Sequence, residues 1–144
     1  MARACIDTSV LFAAAYRRDG AHGDALPILQ GIDGGTLPEA VVLDYVLAET
    51  LNGLTTHAGH DAAVDLLDRI EENVRFAVES LHADGIAASK ALFRQYPQLS
   101  FVDAALVAYM QSASIDYLYA FDDGFDGVET VARLETATNP FEPE

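Results

Sequence analysis

Short apolar runs, each followed by a helix-forming stretch, constrain this chain more than any other feature. Ala4-Cys5-Ile6 stops at Asp7, and Ala40-Val41-Val42-Leu43 stops at Asp44. Val74-Arg75-Phe76-Ala77-Val78 and Tyr117-Leu118-Tyr119-Ala120-Phe121 follow, and Val128 to Leu134 has room for a short last strand. Runs without regular polar alternation are typical of parallel strands covered on both faces. Between them the spacing predicts helices over Val10 to Tyr16, from Asp24 to Gly34-Gly35, from Asp44 to about Leu54, over His60 to Glu72, over Asp84 to Tyr96 and over Ser100 to about Ser112. Thr8 or Ser9 is placed to cap the first helix, Asp24 the second and Asp44 the third. Pro27 is tolerable near a helix start. Strands alternating with helices at this spacing define an α/β domain with a parallel sheet. No repeat or linker divides the 144 residues, so residues 1–144 are expected to form one domain.

Charge narrows the function classes. The chain has 23 acids against eight lysines and arginines, a net charge of −15, and Lys90 is its one lysine. Such self-repulsion is relieved in molar salt, where the Debye length is about 3 Å. The composition is that expected of a protein from a very salty cytoplasm, and it lacks the basic footprint of an ordinary nucleic-acid binder. No apolar run approaches the ~18 residues of a membrane span, and no leader is apparent at the N-terminus. The single Cys5, in the first strand, has no internal disulfide partner and fits a reduced, cytoplasmic chain.

The residues able to carry chemistry are carboxylates. Asp7 ends the first strand, where open α/β sheets place their ligands; its plainer reading is a turn acid favoured by a helix dipole. Asp122 ends the fourth strand in the same way and is followed by Asp123, Gly124 and Asp126, which could equally be a polar turn. Asp103 is the only charged residue from Leu99 through Ile115. Such a group must be satisfied, and Ser100-Phe101-Val102-Asp103 also fits a capping box. Glu49 lies off the Leu43, Leu47, Leu51, Leu54 stripe and by itself reads as a solvated acid. If Asp7 and Asp122 end adjacent strands, their backbones are about 4.8 Å apart. Carboxylates so crowded favour either a proton or a hard cation with oxygen ligands, Mg²⁺ or Mn²⁺.

The ordered set Ile6-Asp7-Thr8-Ser9, Ala48-Glu49, Ser100-Phe101-Val102-Asp103-Ala104 and Phe121-Asp122-Asp123-Gly124-Phe125-Asp126 resembles a PIN domain and is most similar to the VapC-like toxins of toxin–antitoxin pairs. The resemblance implies a three-layer sandwich around a five-stranded parallel sheet of order 3-2-1-4-5, flanked by helices. It implies a metal-binding catalytic quartet of Asp7, Glu49, Asp103 and Asp122, with Asp126 as an accessory acid and Thr8 or Ser9 as the supporting hydroxyl. The family often has Thr or Ser two positions before the fourth acid, where this chain has Ala120. The implied activity is Mg²⁺- or Mn²⁺-assisted hydrolysis of an RNA phosphodiester. The implied partners are RNA, a small antitoxin protein and a second copy of the chain docked through the early helices, with no membrane.

Three other readings compete. A haloacid-dehalogenase-like phosphohydrolase needs a second Asp two residues after the first, where this chain has Ser9. A receiver-like module needs a paired acid before Asp7 and a Lys after a late strand; Ile6 and the lone Lys90 do not supply them. A degenerate PIN module, acting by binding alone, is compatible with Ala120. His57 and His60 are separated by the break at Gly59 and read as exposed side chains, Arg17-Arg18 as a solvated loop, and Cys5 as buried and inert.

Overall fold

The computed structural model describes residues 2–142. The chain forms β1 (Arg3–Ile6), α1 (Thr8–Ala15), α2 (His22–Gly34), β2 (Glu39–Leu43), α3 (Asp44–Ala58), α4 (His60–Glu72), β3 (Phe76–Glu79), α5 (Ala83–Gln95), α6 (Phe101–Ala113), β4 (Tyr117–Tyr119), a 3₁₀ turn (Asp123–Gly127) and β5 (Ala132–Leu134). The five strands are parallel in the order β3-β2-β1-β4-β5, flanked by the six helices. The expected α/β class and strand order therefore hold.

Burial explains the middle of the sheet. In β1, β2 and β4, Ala4, Cys5, Ile6, Ala40 to Leu43, Leu118 and Tyr119 are all fully buried. β3 departs from the expected buried run. It is an edge strand, Ala77 and Val78 are exposed, and Val74 lies in the preceding turn at 93% exposure. Arg75 serves the neighbouring helix instead. Its guanidinium donates to the carbonyls of Ile32 (2.7 Å) and Leu37 (2.8 Å), satisfying acceptors at and just beyond the end of α2.

Several element ends differ from the sequence expectation, each for a local reason. Asp7, rather than Thr8 or Ser9, caps α1, because the carboxylate reaches the Ser9 N–H. α2 begins at His22, so Asp24 sits inside its first turn and Pro27 beyond it, where the proline removes the donor for the Gly23 carbonyl. Gly35, at φ 85°, closes that helix in the left-handed region. Asp44 is the first residue of α3 and Leu43 its N-cap; Asp44 Oδ1 accepts from Tyr45 N–H (2.9 Å) and Leu81 N–H (3.3 Å), tying the segment after β3 to α3. α3 runs on to Ala58, past Leu54, and Gly59 stops it. β4 ends at Tyr119; Ala120 N–H still reaches the Leu134 carbonyl of β5, and the backbone leaves the sheet at Phe121, whose N–H turns to the Ser9 hydroxyl.

Candidate active site

β1 and β4 are neighbours, with Ile6 opposite Tyr119. The ladder continues one residue further through Asp7 N–H to the Tyr119 carbonyl at 2.9 Å. Asp7 thus leaves the sheet at its carboxyl edge beside the segment that leads to Asp122. That edge is the switch point of the fold: from β1 the chain goes to β2 on one side, and β4 returns on the other.

Asp7 is 4% exposed. Its Oδ2 accepts from Ser9 N–H (3.2 Å) and from the Ser9 hydroxyl (2.7 Å). Its Oδ1 is buried and has no hydrogen-bond partner. Burial pushes the Asp7 carboxyl up to about 6; the Ser9 hydroxyl opposes this, and the charges of Asp103 and Glu49 add to it. Asp103 is also buried, in the first turn of α6. Its Oδ2 accepts the Ser100 N–H (3.2 Å) and its own N–H donates to the Ser100 hydroxyl (3.1 Å), completing the capping box. Burial raises its carboxyl above the ordinary range, Ser100 draws it back, and Asp122 and Glu49 push it higher. Both readings of Asp103, cap and member of the acidic group, describe the same side chain.

Glu49 and Asp122 are less deeply placed, but their charges reach the buried pair: Glu49 is felt at Asp7 and Asp103, Asp122 at Asp103. Asp122 Oδ1 accepts the Gly124 N–H at 2.9 Å and caps the 3₁₀ turn. The four acids therefore form one electrostatic neighbourhood at the carboxyl edge. Among the described residues, no three Asp, Glu, His or Cys side chains close into a ready-made metal cage.

Asp126 is paired with an arginine in this structure. Its two oxygens accept from Arg133 Nε (2.7 Å) and Nη2 (2.9 Å), and the guanidinium holds its carboxyl below the usual range. Arg133 Nη1 donates to the Ala120 carbonyl at 3.3 Å. One side chain thus ties both ends of the turn that carries Asp122. Sequence reading missed Arg133, since nothing local marks an ion pair formed between a turn and a following strand.

Two hydroxyls that the sequence left interchangeable have separate roles. Ser9 bridges Asp7 to Phe121 N–H (3.0 Å). Thr8 lies within hydrogen-bond distance of the Val46 carbonyl (3.4 Å) and the buried Thr50 hydroxyl (3.3 Å), joining α1 to α3. At Ala120, fully buried, a methyl stands where the family often has a hydroxyl. His57 and His60 are exposed as expected, although His57 packs edge-on against Phe12, with ring centroids 5.7 Å apart.

Unpartnered Oδ1 on a buried carboxylate, with further acids around it, is chemistry suited to a hard divalent cation. Such an ion keeps several waters and does not need an all-protein cage.

A parallel α/β domain with acids gathered at its switch point is the class that these features define. The chain belongs to the PIN-domain family, which it matches over residues 4–131. Among solved structures it is similar to VapC20 of Mycobacterium tuberculosis, a toxin described as cleaving the sarcin–ricin loop. The two share 28% identity with a TM-score of 0.76, over 87% of this chain and 94% of that one. The fold is also shared with a toxin–antitoxin complex from Klebsiella pneumoniae, at 19% identity, TM-score 0.65, and coverage of 94% and 98%. It is shared too with VapBC2 of Rickettsia felis, bound to a DNA fragment from its promoter, at 12% identity, TM-score 0.69, and coverage of 92% and 97%. No curated protein matches the chain. No helix among the described residues is long and apolar enough to cross a membrane.

Proposed function

We propose that this chain is a divalent-metal-dependent endoribonuclease and the toxin of a toxin–antitoxin pair, working in a salt-rich cytoplasm. One observation carries the reading: Asp7 Oδ1 is buried without a partner, within reach of the charges of Asp103 and Glu49. An anion so placed needs a proton or a cation. Family membership and the likeness to VapC20 support the choice of RNA as substrate.

Asp7, Asp103, Glu49 and Asp122 are the residues that would hold Mg²⁺ or Mn²⁺. When bound, the ion supplies positive charge to the scissile phosphate and lowers the pKa of a coordinated water. Ser9 fixes the rotamer of Asp7 through Oδ2 and so leaves Oδ1 uncommitted. Ser100 holds Asp103 in the same manner. Glu49 and Asp122 lie nearer to solvent, Asp122 with its Oδ1 committed to the Gly124 N–H. Asp126 orders the turn beneath Asp122 through Arg133 and serves the site by position.

A PIN module that binds without cutting is the second reading. The open arrangement of the acids and the methyl at Ala120 favour it. Cleavage of RNA in molar KCl with Mn²⁺ or Mg²⁺, comparing wild type with Asp7→Asn and Asp103→Asn, separates the two. The nuclease reading expects metal-dependent cleavage, lost by about 10²-fold or more in both folded variants. Folded wild type that neither cleaves RNA nor binds Mn²⁺ contradicts that reading and leaves the binding module. The antitoxin and self-association are tested by co-expression with the product of an adjacent reading frame and by sedimentation.

A further inference from the structure

At the start of α6 three aromatic rings meet from three helices. Phe101, the first residue of α6, lies 6.4 Å from Tyr45 in α3 and 5.8 Å from Phe93 in α5 (centroid to centroid) at interplanar angles of 36° and 63°. Two of the three are tied by sequence to the acids. Tyr45 lies one turn before Glu49, on the same side of α3, and Phe101 shares the first turn of α6 with Asp103, though two positions apart they point to different sides of that helix. Phe93 is the outer ring, 46% exposed. Among the described residues only one other phenylalanine is comparably exposed, Phe141, and it packs edge-on against Tyr117 at the amino end of β4. The row Tyr45-Phe101-Phe93 therefore runs from the helix that carries Glu49 to an open ring at Phe93.

Charge decides what that ring is for. A chain of net charge −15 with one lysine offers few phosphate contacts, and molar salt removes most of their value. Stacking of a base on an aromatic ring uses the π-face, which every base has, and does not depend on release of counterions. We propose that Tyr45, Phe101 and Phe93 form a base-stacking ledge that seats an unpaired nucleobase of single-stranded RNA next to the scissile phosphate, with Phe93 as the contacting ring. This rests on the ribonuclease reading and adds to it the three side chains that hold a base.

The chain contains no tryptophan, so Phe93→Trp gives a single fluorescent reporter on the ledge. The probe is a short single-stranded uridine–adenosine RNA, with an abasic oligomer of the same backbone as control. Titrations are made from about 0.5 M to about 3 M KCl, in EDTA so that nothing is cut. The ledge expects saturable quenching by the RNA, none by the abasic oligomer, and an apparent Kd that varies by less than about three-fold across the salt range. It also expects Phe93→Ala to weaken binding of the end-labelled RNA by about ten-fold, as read by anisotropy. The ring is half-exposed and packs on Phe101, so Phe93→Ala should unfold at a somewhat lower denaturant concentration than wild type while staying fully folded in the assay buffer.

RNA that binds by anisotropy without quenching the introduced tryptophan, or that binds Phe93→Ala as tightly as wild type, overturns the ledge and leaves the nuclease reading standing. Equal quenching by the abasic oligomer overturns it as well. RNA that neither binds nor is cut by wild type overturns the ledge together with the reading beneath it.

Discussion

Asp7 and Ser9 are joined by a 2.7 Å hydrogen bond whose donor, Ser9 Oγ, itself accepts the Phe121 N–H at 3.0 Å. One hydroxyl thus links the acid at the end of β1 to the backbone that leads from β4 to Asp122. Ser9→Ala should leave the Phe121 N–H without its partner and Asp7 without its strongest donor. A loss of about 1–3 kcal/mol in unfolding free energy is expected, read by urea denaturation in molar KCl, with RNA cleavage falling alongside. Unchanged stability would mean that water replaces the bridge and that Ser9 does not organise the site.

Asp7 should oppose folding of the metal-free protein at neutral pH. A carboxyl whose native pKa exceeds its unfolded value binds its proton more tightly when folded, so ionising it destabilises the native state. The stability that the protonated form contributes is full below pH 3.8 and is lost as pH rises through about 6. Asp7→Asn should therefore be more stable than wild type by about 1–2 kcal/mol at pH 7 in EDTA, with the gap closing toward pH ~4. Part of the gain is offset because the amide brings a donor into a place prepared for oxygen. A gap that widened toward acid pH would contradict the burial account of Asp7.

Asp126 and Arg133 act together on the turn beneath Asp122. Asp126→Asn and Arg133→Leu should both lower cleavage by less than about ten-fold, since they displace Asp122 without removing it. Mn²⁺ affinity should stay at the wild-type value in each. A marked fall in Mn²⁺ affinity for Asp126→Asn alone, with Arg133→Leu unaffected, would restore Asp126 as a direct ligand.

Cys5 lies in the central strand, is fully buried, and has its thiol pushed up to about 12 by burial. A thiol-reactive disulfide reagent should leave it untouched in the native protein and modify it fully in denaturant. Rapid native-state reaction would mean that β1 opens readily.

Much of this fold is written in short-range pattern. The apolar runs at Ala4 to Ile6 and Ala40 to Leu43 could be little other than covered parallel strands. Gly35 and Gly59 mark helix ends by their positive φ. The strand order was legible through the resemblance carried by the four acidic blocks, and periodicity alone did not specify it. What stayed hidden was tertiary. No local signal could tell which of Thr8 and Ser9 turns toward Phe121, since both hydroxyls suit a helix start. Asp126 looked like one more acid in a row until Arg133 arrived from β5 to take both its oxygens. β3 reads from sequence as a buried strand that includes Val74, because a run of five residues does not reveal that it lies at a sheet edge. The aromatic row was invisible because Tyr45, Phe93 and Phe101 come from three helices.

Everything proposed for the site turns on whether the open oxygen of Asp7 belongs to a divalent-cation site. Calorimetric titration of Mn²⁺ into the metal-free protein at pH ~7.5 in molar KCl, for wild type, Asp7→Asn and Asp126→Asn, answers that. The expected result is binding by wild type and Asp126→Asn with closely similar affinity, and loss of at least about ten-fold in affinity for a folded Asp7→Asn. Equal Mn²⁺ binding by wild type and Asp7→Asn, or no binding by a folded wild type, would contradict it.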